Sequence, residues 1–396
     1  MRAYEKTHPW LKFSINLSKA PARLWAMLGE CNALCHCLKK TALLPETGDF
    51  LFHDYLARCS MTFSGTVNGF MTEHEVRQML DGSLTPPQSQ KYIVQKNENI
   101  RSGFNKIVEN YRQNTLNELS PGVISEYNRI VLDRLALSGT DIPGEIRASD
   151  SGEHDRPFSP VLPEDCGYLL ENLCDWMNSN TFMAPSGMSM MYGFLKAVLA
   201  HVYMAWIHPF GNGNLRTSLL VEIHSMIASS IPPPAALLMS IHFTQTQSEY
   251  KRLFEQVSNP ESTLQPFIIY AIEGIRDGLY GQIDSIKKYQ ADALWRYYIH
   301  KIFSDKTSIS DIRRRQLALD LSDMDNPVPL PMLQKTVPQV ALAYAKRTYK
   351  TMTRDIYELI SLGLLEKTSN GIKTRKKIIC NNFISSGLSD VNDIPD

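Results

Sequence analysis

A histidine followed by a short stretch rich in glycine and asparagine has the residue types best suited to chemistry in this sequence. His208 stands directly before Pro209, and residues 211–214 read Gly-Asn-Gly-Asn. Because proline disfavours helical geometry in the residue before it, the apolar run 197–207 is predicted to end as a helix near His208. Glycine and asparagine tolerate positive φ angles, and residues 215–228 again carry apolar side chains at helical spacing. The stretch is therefore predicted to be a loop that leads into a helix.

A loop of this kind at the N-terminus of a helix favours the binding of phosphate. Its unpaired N–H groups and the helix dipole both attract negative charge. Arg216, in the first turn of the second helix, could add a charged donor to the same phosphate. His208, at the other end of the loop, could act as general base for an attacking hydroxyl group. A single histidine before a turn is more often structural, so from the residues alone both interpretations stay open.

A second group of potential ligands consists of Cys31, Cys35, His36 and Cys37. Positions i, i+4 and i+6 of a helix do not bring three thiols to one face, and no second pair of ligands follows downstream. We therefore favour structural or incidental cysteines over a metal site. The chain has seven cysteines scattered along its length, which suits reduced thiols better than a disulfide framework.

The composition excludes several classes of protein. The chain has 396 residues, with 41 basic and 41 acidic side chains, so binding to nucleic acid or to a membrane would require a local patch. By inspection, no apolar stretch approaches the roughly 18 residues that span a bilayer, and the first residues lack the apolar segment of a signal peptide. We expect a cytoplasmic protein without a membrane segment.

The hydrophobic periodicity indicates a mainly α protein with three regions. We predict an N-terminal helical region at 1–112, a core domain at 113–288 and a small C-terminal domain at 289–396. A polar, turn-rich stretch from 138 to 163 contains short β-prone pieces, so a hairpin is expected there.

The C-terminal region has the pattern of a winged helix-turn-helix. An amphipathic helix is predicted at about 347–362 and should stop at Gly363, with a hairpin over 364–379 after it. The hairpin carries Lys373, Arg375 and Lys376, which could contact DNA phosphates. A solvated basic hairpin that contacts proteins is the alternative.

Residues 208–219 resemble the signature of the Fic (Fido) family, H-P-F-x-(D/E)-G-N-G-R-x-x-R. Segments on both sides are also similar to stand-alone bacterial Fic proteins: 7–11 and 86–89 to their N-terminal helical region, and 353–364 to their C-terminal winged helix. The resemblance implies a helical Fic core with a short β-hairpin flap, at about 146–160, where a target protein would dock by strand addition.

The resemblance implies protein adenylylation, the transfer of AMP from ATP to a hydroxyl side chain of a target, with Mg²⁺ as cofactor. Carried over by position, His208 is the general base, and the phosphate-binding positions are Gly213, Asn214, Leu215 and Arg216. Asn212 replaces the metal-binding carboxylate, so metal affinity should fall. Leu215 replaces a glycine and Leu219 replaces the second arginine, which removes a phosphate contact. Tyr250 occupies a position on the adenine side.

Many family members restrain themselves with a helix whose glutamate pairs with the second arginine of the motif. The matching segment here, at about 56–80, has Val67 in the position of that glutamate. Replacing both partners of a buried ion pair by apolar residues can be neutral, whereas losing one strands a charge. We therefore hypothesise that Val67 packs on Leu219, within about 4.5 Å.

Three functions are compatible with this pattern. The first is a protein adenylyltransferase, which retention of His208, Asn214 and Arg216 favours. The second is a Fic pseudoenzyme that acts as a DNA- or protein-binding regulator. The third is a phosphotransferase similar to the Doc toxins, which also lack the second arginine. The sequence leaves the oligomeric state open, although the resemblance allows a homodimer.

Overall fold

The fold is described from a computed structural model, which describes residues 2–61, 91–137, 141–149, 160–324 and 326–380. The chain divides into two compact units, Met1–Ile283 and Asp284–Asp396. The helices of the first unit are α1 (Tyr4–Thr7), α2 (Ala22–Lys40), α3 (Pro45–Met61), α4 (Lys91–Arg112), α5 (Pro121–Leu132), α6 (Pro163–Asn178), α7 (Ser189–Ile207), α8 (Asn214–Ala228), α9 (Leu238–Gln245) and α10 (Gln247–Val257). Helix α11 (Gln265–Ile302) contains the boundary between the units. The mainly helical prediction is confirmed.

Helices α7 and α8 form the centre of the first unit. They pack on each other, α7 also packs on α2 and α6, and α8 packs on α4 and α5. Helix α7 is apolar almost all round, and nearly all its residues are buried. Such a helix belongs in the middle of a core. The loop that joins α7 to α8 is thereby fixed at both ends by buried helices.

One expectation about helix α7 was wrong. Its 19 residues are long and apolar enough to cross a membrane by length and composition, although no such stretch was expected. Polar and charged residues such as His201 and Lys196 interrupt the apolar run, but the mean hydropathy of the helix stays high enough for a membrane span. Within the protein, 83% of the qualifying window is buried. The core of a folded protein thus accounts for the apolar character of this helix.

The second unit contains short helices and a hairpin. The elements are α12 (Ile309–Leu321), α13 (Leu333–Thr336), α14 (Pro338–Tyr344), α15 (Tyr349–Ser361), β1 (Leu365–Thr368), β2 (Gly371–Thr374) and α16 (Lys377–Cys380). The predicted helix and hairpin are confirmed, because α15 ends two residues before Gly363, which has a φ of 73° as a C-cap requires. Strands β1 and β2 pair antiparallel, with Glu366 opposite Lys373.

Half of the stretch in which a hairpin was expected, residues 138–140 and 150–159, lies outside the described residues. The described parts, residues 141–149 and 160–163, contain no strand. The predicted inhibitory segment at about 56–80, with Val67, lies mostly outside the described residues as well.

The cysteines of α2 behave as core residues. Cys31 and Cys35 are buried, and Cys37 is exposed. Burial raises the pKa of the Cys35 thiol to about 12, and it raises the pKa of Cys31 further. Such thiols stay protonated and are poor metal ligands at neutral pH. No group of three or more histidine, cysteine or acidic side chains suited to a metal ion occurs among the described residues.

Candidate functional site

The loop of residues 208–213 joins the end of α7 to the start of α8. Helix α7 ends at Ile207, and His208 has φ 47° and ψ 61°, the left-handed conformation. The break predicted from Pro209 is thus confirmed, and its form is unusual, since a non-glycine residue in this conformation costs about 1–2 kcal/mol. A strained residue of this kind persists only where its surroundings hold it.

Asn214 holds the His208 ring. Its Oδ1 accepts a hydrogen bond from the Phe210 N–H at 2.9 Å, and its Nδ2 lies 3.0 Å from His208 Nδ1. A backbone N–H can only donate, so the amide oxygen must face Phe210 and the amide nitrogen must face the ring. Nδ1 of His208 therefore accepts, and the neutral ring carries its proton on Nε2. His208 is 9% exposed.

A buried arginine holds the backbone around His208. Nε of Arg147 donates to the His208 carbonyl at 2.9 Å, and its backbone N–H donates to the Pro209 carbonyl at 3.0 Å. The same guanidinium donates to the carbonyls of Ser149, at 3.3 Å, and Val161. No local signal in the sequence marks Arg147 as a residue of the site. Its contacts explain how the left-handed conformation of His208 is maintained.

A carboxylate that the sequence analysis missed lies against the loop. Oδ2 of Asp141 accepts a hydrogen bond from Asn212 Nδ2 at 2.8 Å. A Cβ added at Gly211 would overlap the Asp141 carboxylate, so the glycine is what allows this close approach. Asp141 therefore brings a negative charge to the position where Asn212 has none.

The loop residues fit a weakly held divalent cation. Asp141 offers a carboxylate, and Asn212 would offer its amide oxygen to the same cation once the hydrogen bond from its Nδ2 to Asp141 is given up. Mg²⁺ takes oxygen ligands and is usually bound by one or two carboxylates together with substrate phosphates. Two protein ligands suit a cation that arrives with a nucleotide, rather than one held by the protein alone.

Asn128, at 1% exposure, ties the loop to helix α5. Its Nδ2 donates to the Asn212 carbonyl at 2.9 Å and to Thr217 Oγ1 at 3.1 Å, and its Oδ1 accepts from the Gly144 N–H at 2.8 Å. One amide thus joins the loop, the first turn of α8 and the segment that contains Gly144. No local pattern in the sequence identifies this residue.

The predicted phosphate-binding residues are divided between two environments. Gly213 caps α8 with φ 77°, and Leu215 is 47% exposed. Arg216 is buried, and its Nη1 donates to the Val131 carbonyl at the end of α5 at 2.6 Å. Burial lowers the pKa of Arg216. The described contact of Arg216 is thus with protein backbone, whereas the sequence analysis assigned it to phosphate.

Leu219 lies in the interior, and Tyr250 is half-buried against the core. Leu219 is fully buried in the core, and Val67 lies outside the described residues, so their proposed contact stays a prediction. The hydroxyl of Tyr250 lies 2.9 Å from His201 Nε2, and His201 Nδ1 lies 2.6 Å from Glu222. Burial raises the pKa of Tyr250. Its hydroxyl is therefore engaged within the protein, and its adenine-side role also stays a prediction.

In the second unit, the three basic side chains predicted to contact DNA are paired with acids. Lys373 lies 3.1 Å and Arg375 4.0 Å from the Glu366 carboxylate, and Lys376 lies 2.7 Å from that of Asp292. These pairs reduce the net positive charge that the hairpin can offer to DNA.

Comparison with known proteins identifies the class. Residues 118–226, which contain α5 to α7, the loop and most of α8, match the Fic/DOC family. This region of the chain is therefore similar to Fic/DOC proteins.

Two curated relatives are both named protein adenylyltransferase fic-1. The one from Caenorhabditis briggsae is 29% identical over 133 residues, and the one from Caenorhabditis elegans is 25% identical over 130 residues. Each match covers 33% of this chain and only 23% of the relative. The likeness is therefore limited to part of either protein.

Solved structures support the fold. A crystal structure of a Fic family protein from Desulfovibrio desulfuricans G20 has a TM-score of 0.52 at 15% identity, and the match covers 88% of this chain and 92% of that one. Fic-1 (residues 134–508) from Caenorhabditis elegans has a TM-score of 0.51 at 17% identity, over 67% of this chain and 74% of that one. At these identities the likeness concerns the fold alone.

Proposed function

We propose that this chain is a protein adenylyltransferase that transfers AMP from ATP to a hydroxyl side chain of a target protein. The observation that carries the proposal is the placement of His208. Its ring is held by Asn214 at one end of a glycine loop, and the other end of that loop is the N-terminus of the 15-residue helix α8. A base and an anion-binding helix terminus therefore lie side by side. The distant likeness to proteins named adenylyltransferase supports the same reaction.

The roles of the residues follow from their contacts. The backbone amides of the loop and of the first turn of α8 would hold phosphate. Asp141 and Asn212 would hold Mg²⁺, which would neutralise phosphate charge when it is bound. Nε2 of His208 can accept the proton of a target hydroxyl only in the other neutral tautomer of the ring, in which Nδ1 carries the proton. Because the Asn214 amide turns its N–H toward Nδ1, this tautomer is disfavoured, and we expect slow transfer.

The test uses two forms of labelled ATP. We incubate the protein with α-labelled or γ-labelled ATP and Mg²⁺ or Mn²⁺, and compare it with His208→Ala. The matched control is His36→Ala, because His36 is an exposed histidine on α2. Label from the α-position that requires His208 supports adenylylation. Label from the γ-position alone supports the phosphotransferase reaction and contradicts the proposal.

The second candidate is a Fic pseudoenzyme that acts as a regulator. The buried contact of Arg216 with the Val131 carbonyl favours it, since this arginine would have to turn in order to reach a phosphate. Absence of both labels, together with no heat of ATP binding by calorimetry, would support this alternative.

Restoring the signature provides a further test. Asn212→Asp with Leu215→Gly should raise adenylylation, because both positions are accessible to a nucleotide: Asn212 is half-buried and Leu215 exposed. Leu219→Arg should be added only afterwards, because it places a cation at a fully buried position. No gain from the pair would mean that the loop has diverged beyond these two residues.

A further inference from the structure

Helix α15, in the second unit, has a basic face that the proposed reaction does not use. Lys350, Arg354 and Tyr357 are exposed and follow each other at i, i+4 and i+7, which places them along one side of the helix. The opposite side packs into the core of the unit through Met352, Ile356 and Leu359. The exposed side is therefore a continuous surface, of which Tyr357 is 56% exposed.

The positive charge continues into the turn before the helix. Lys346 and Arg347 are exposed there. Among the residues that the structure describes, neither of them forms an ion pair, and the same holds for Lys350 and Arg354. Four basic side chains thus lie within nine residues. We call Lys346, Arg347, Lys350 and Arg354 the basic face.

The acid nearest to this face is directed inward. Asp355 is fully buried and accepts hydrogen bonds from Arg313 at 2.7 Å, Arg314 at 2.9 Å and the Tyr344 hydroxyl at 3.0 Å. Its charge is therefore compensated within the unit. Glu358, the next acid, is half-buried toward the C-terminal end of α15. The first two turns of the helix retain an uncompensated positive charge.

We propose that the basic face binds double-stranded DNA, with α15 in the major groove. The helix has 13 residues, about 20 Å of length, and a major groove roughly 12 Å wide admits one α-helix. Lys346 and Arg347, in the turn that precedes the helix, contact phosphates, while Lys350 and Arg354 reach into the groove. The hairpin is the weaker candidate because its own basic residues are paired with Glu366 and Asp292.

Charge and shape together favour duplex DNA over other acidic partners. The deep, narrow major groove of an RNA duplex does not admit a helix, so an RNA duplex should bind more weakly.

The proposal does not depend on adenylylation, because the residues involved lie in the second unit and the candidate site lies in the first.

The test measures binding of the full chain to a labelled 30-base-pair DNA of mixed sequence by fluorescence anisotropy. Three or four phosphate contacts predict a loss of affinity of roughly 40- to 150-fold between 50 and 200 mM salt. Lys346→Ala with Arg347→Ala should reduce the salt slope by about 2. The matched control, Lys373→Ala with Arg375→Ala, should leave the slope unchanged. All four side chains are on the surface, and circular dichroism checks that each variant is folded.

Three results would overturn the proposal. The first is no salt-dependent binding to the DNA at about 100 μM protein, roughly the upper end of the dissociation constants of non-specific complexes. The second is a slope that falls in the hairpin variant and not in the variant of the basic face, which would place the contact on the hairpin. The third is equal affinity for an RNA duplex of the same sequence. This result would mean that the basic face binds phosphate charge and that α15 does not enter a major groove.

Discussion

The close approach of Asp141 to Gly211 leads to a measurable prediction. Gly211→Ala introduces a Cβ that overlaps the Asp141 carboxylate, although the backbone of Gly211 is not in the left-handed region. The carboxylate must therefore withdraw and lose its 2.8 Å hydrogen bond to Asn212. A carboxylate that withdraws relieves the overlap, and the hydrogen bond to a charged group that it loses is worth about 1.5–3 kcal/mol. The expected loss in the free energy of unfolding is therefore about 1.5–3 kcal/mol.

The assay is urea unfolding of four proteins: the wild type, Gly211→Ala, Asp141→Ala and the double variant. In the Asp141→Ala background the overlap is gone, so Gly211→Ala should cost less than about 1 kcal/mol. Gly29→Ala is the matched control, since a Cβ at this helical glycine of α2 meets nothing within 4 Å. The control should be neutral or stabilising by up to about 1 kcal/mol. If Gly211→Ala costs the same in both backgrounds, to within about 0.5 kcal/mol, the reasoning is refuted.

Three more predictions concern the same region. Asn128→Ala removes three buried hydrogen bonds and should destabilise the protein by about 2–4 kcal/mol in urea unfolding; a loss below 1 kcal/mol would contradict the described contacts. Asn212→Asp places two carboxylates side by side with Asp141, so Mg²⁺ should raise the melting temperature more than in the wild type, and an equal shift would argue against a cation there. Burial lowers the pKa of His224 to about 4, so the folded protein binds a proton at this residue less readily than the unfolded chain does. The contribution of His224 to the free energy of unfolding should be fully present above pH 6.5 and should fall by about 3 kcal/mol toward pH 4. His224→Gln, which cannot take up the proton, should show a smaller fall between pH 7 and pH 4.

The position of the loop could be predicted from the sequence because its signals are local. Pro209 follows the helix end directly, and glycine and asparagine at 211–214 allow the turn into α8. The hairpin was predictable for the same reason. The pairing of Lys373 with Glu366 also follows from the two-residue turn, which sets these residues opposite each other, and register alone could have shown that the charge of Lys373 is paired.

The residues that support the loop could not be predicted. Asp141 lies 71 positions from Asn212, and Arg147 lies 61 positions from His208. No periodicity or motif connects residues at such separations, because tertiary packing alone brings them together. For Arg216, by contrast, the sequence contains a signal, but the structure shows a different contact. Its place in the motif indicated phosphate, whereas the Val131 carbonyl at the end of α5 lies within reach of its side chain.

The contacts of Arg147 join two positions that are distant in the sequence, Ser149 and Val161, to the backbone of His208. The guanidinium binds the carbonyls of Ser149 and Val161, on either side of residues 150–160, and also the carbonyl of His208. A displacement of either carbonyl must break a hydrogen bond to a buried cation, at about 1.5–3 kcal/mol, or move the cation with it. A shift of either carbonyl is therefore transmitted to the backbone of His208. If His208 is the base of the proposed reaction, such a shift changes the position of the base.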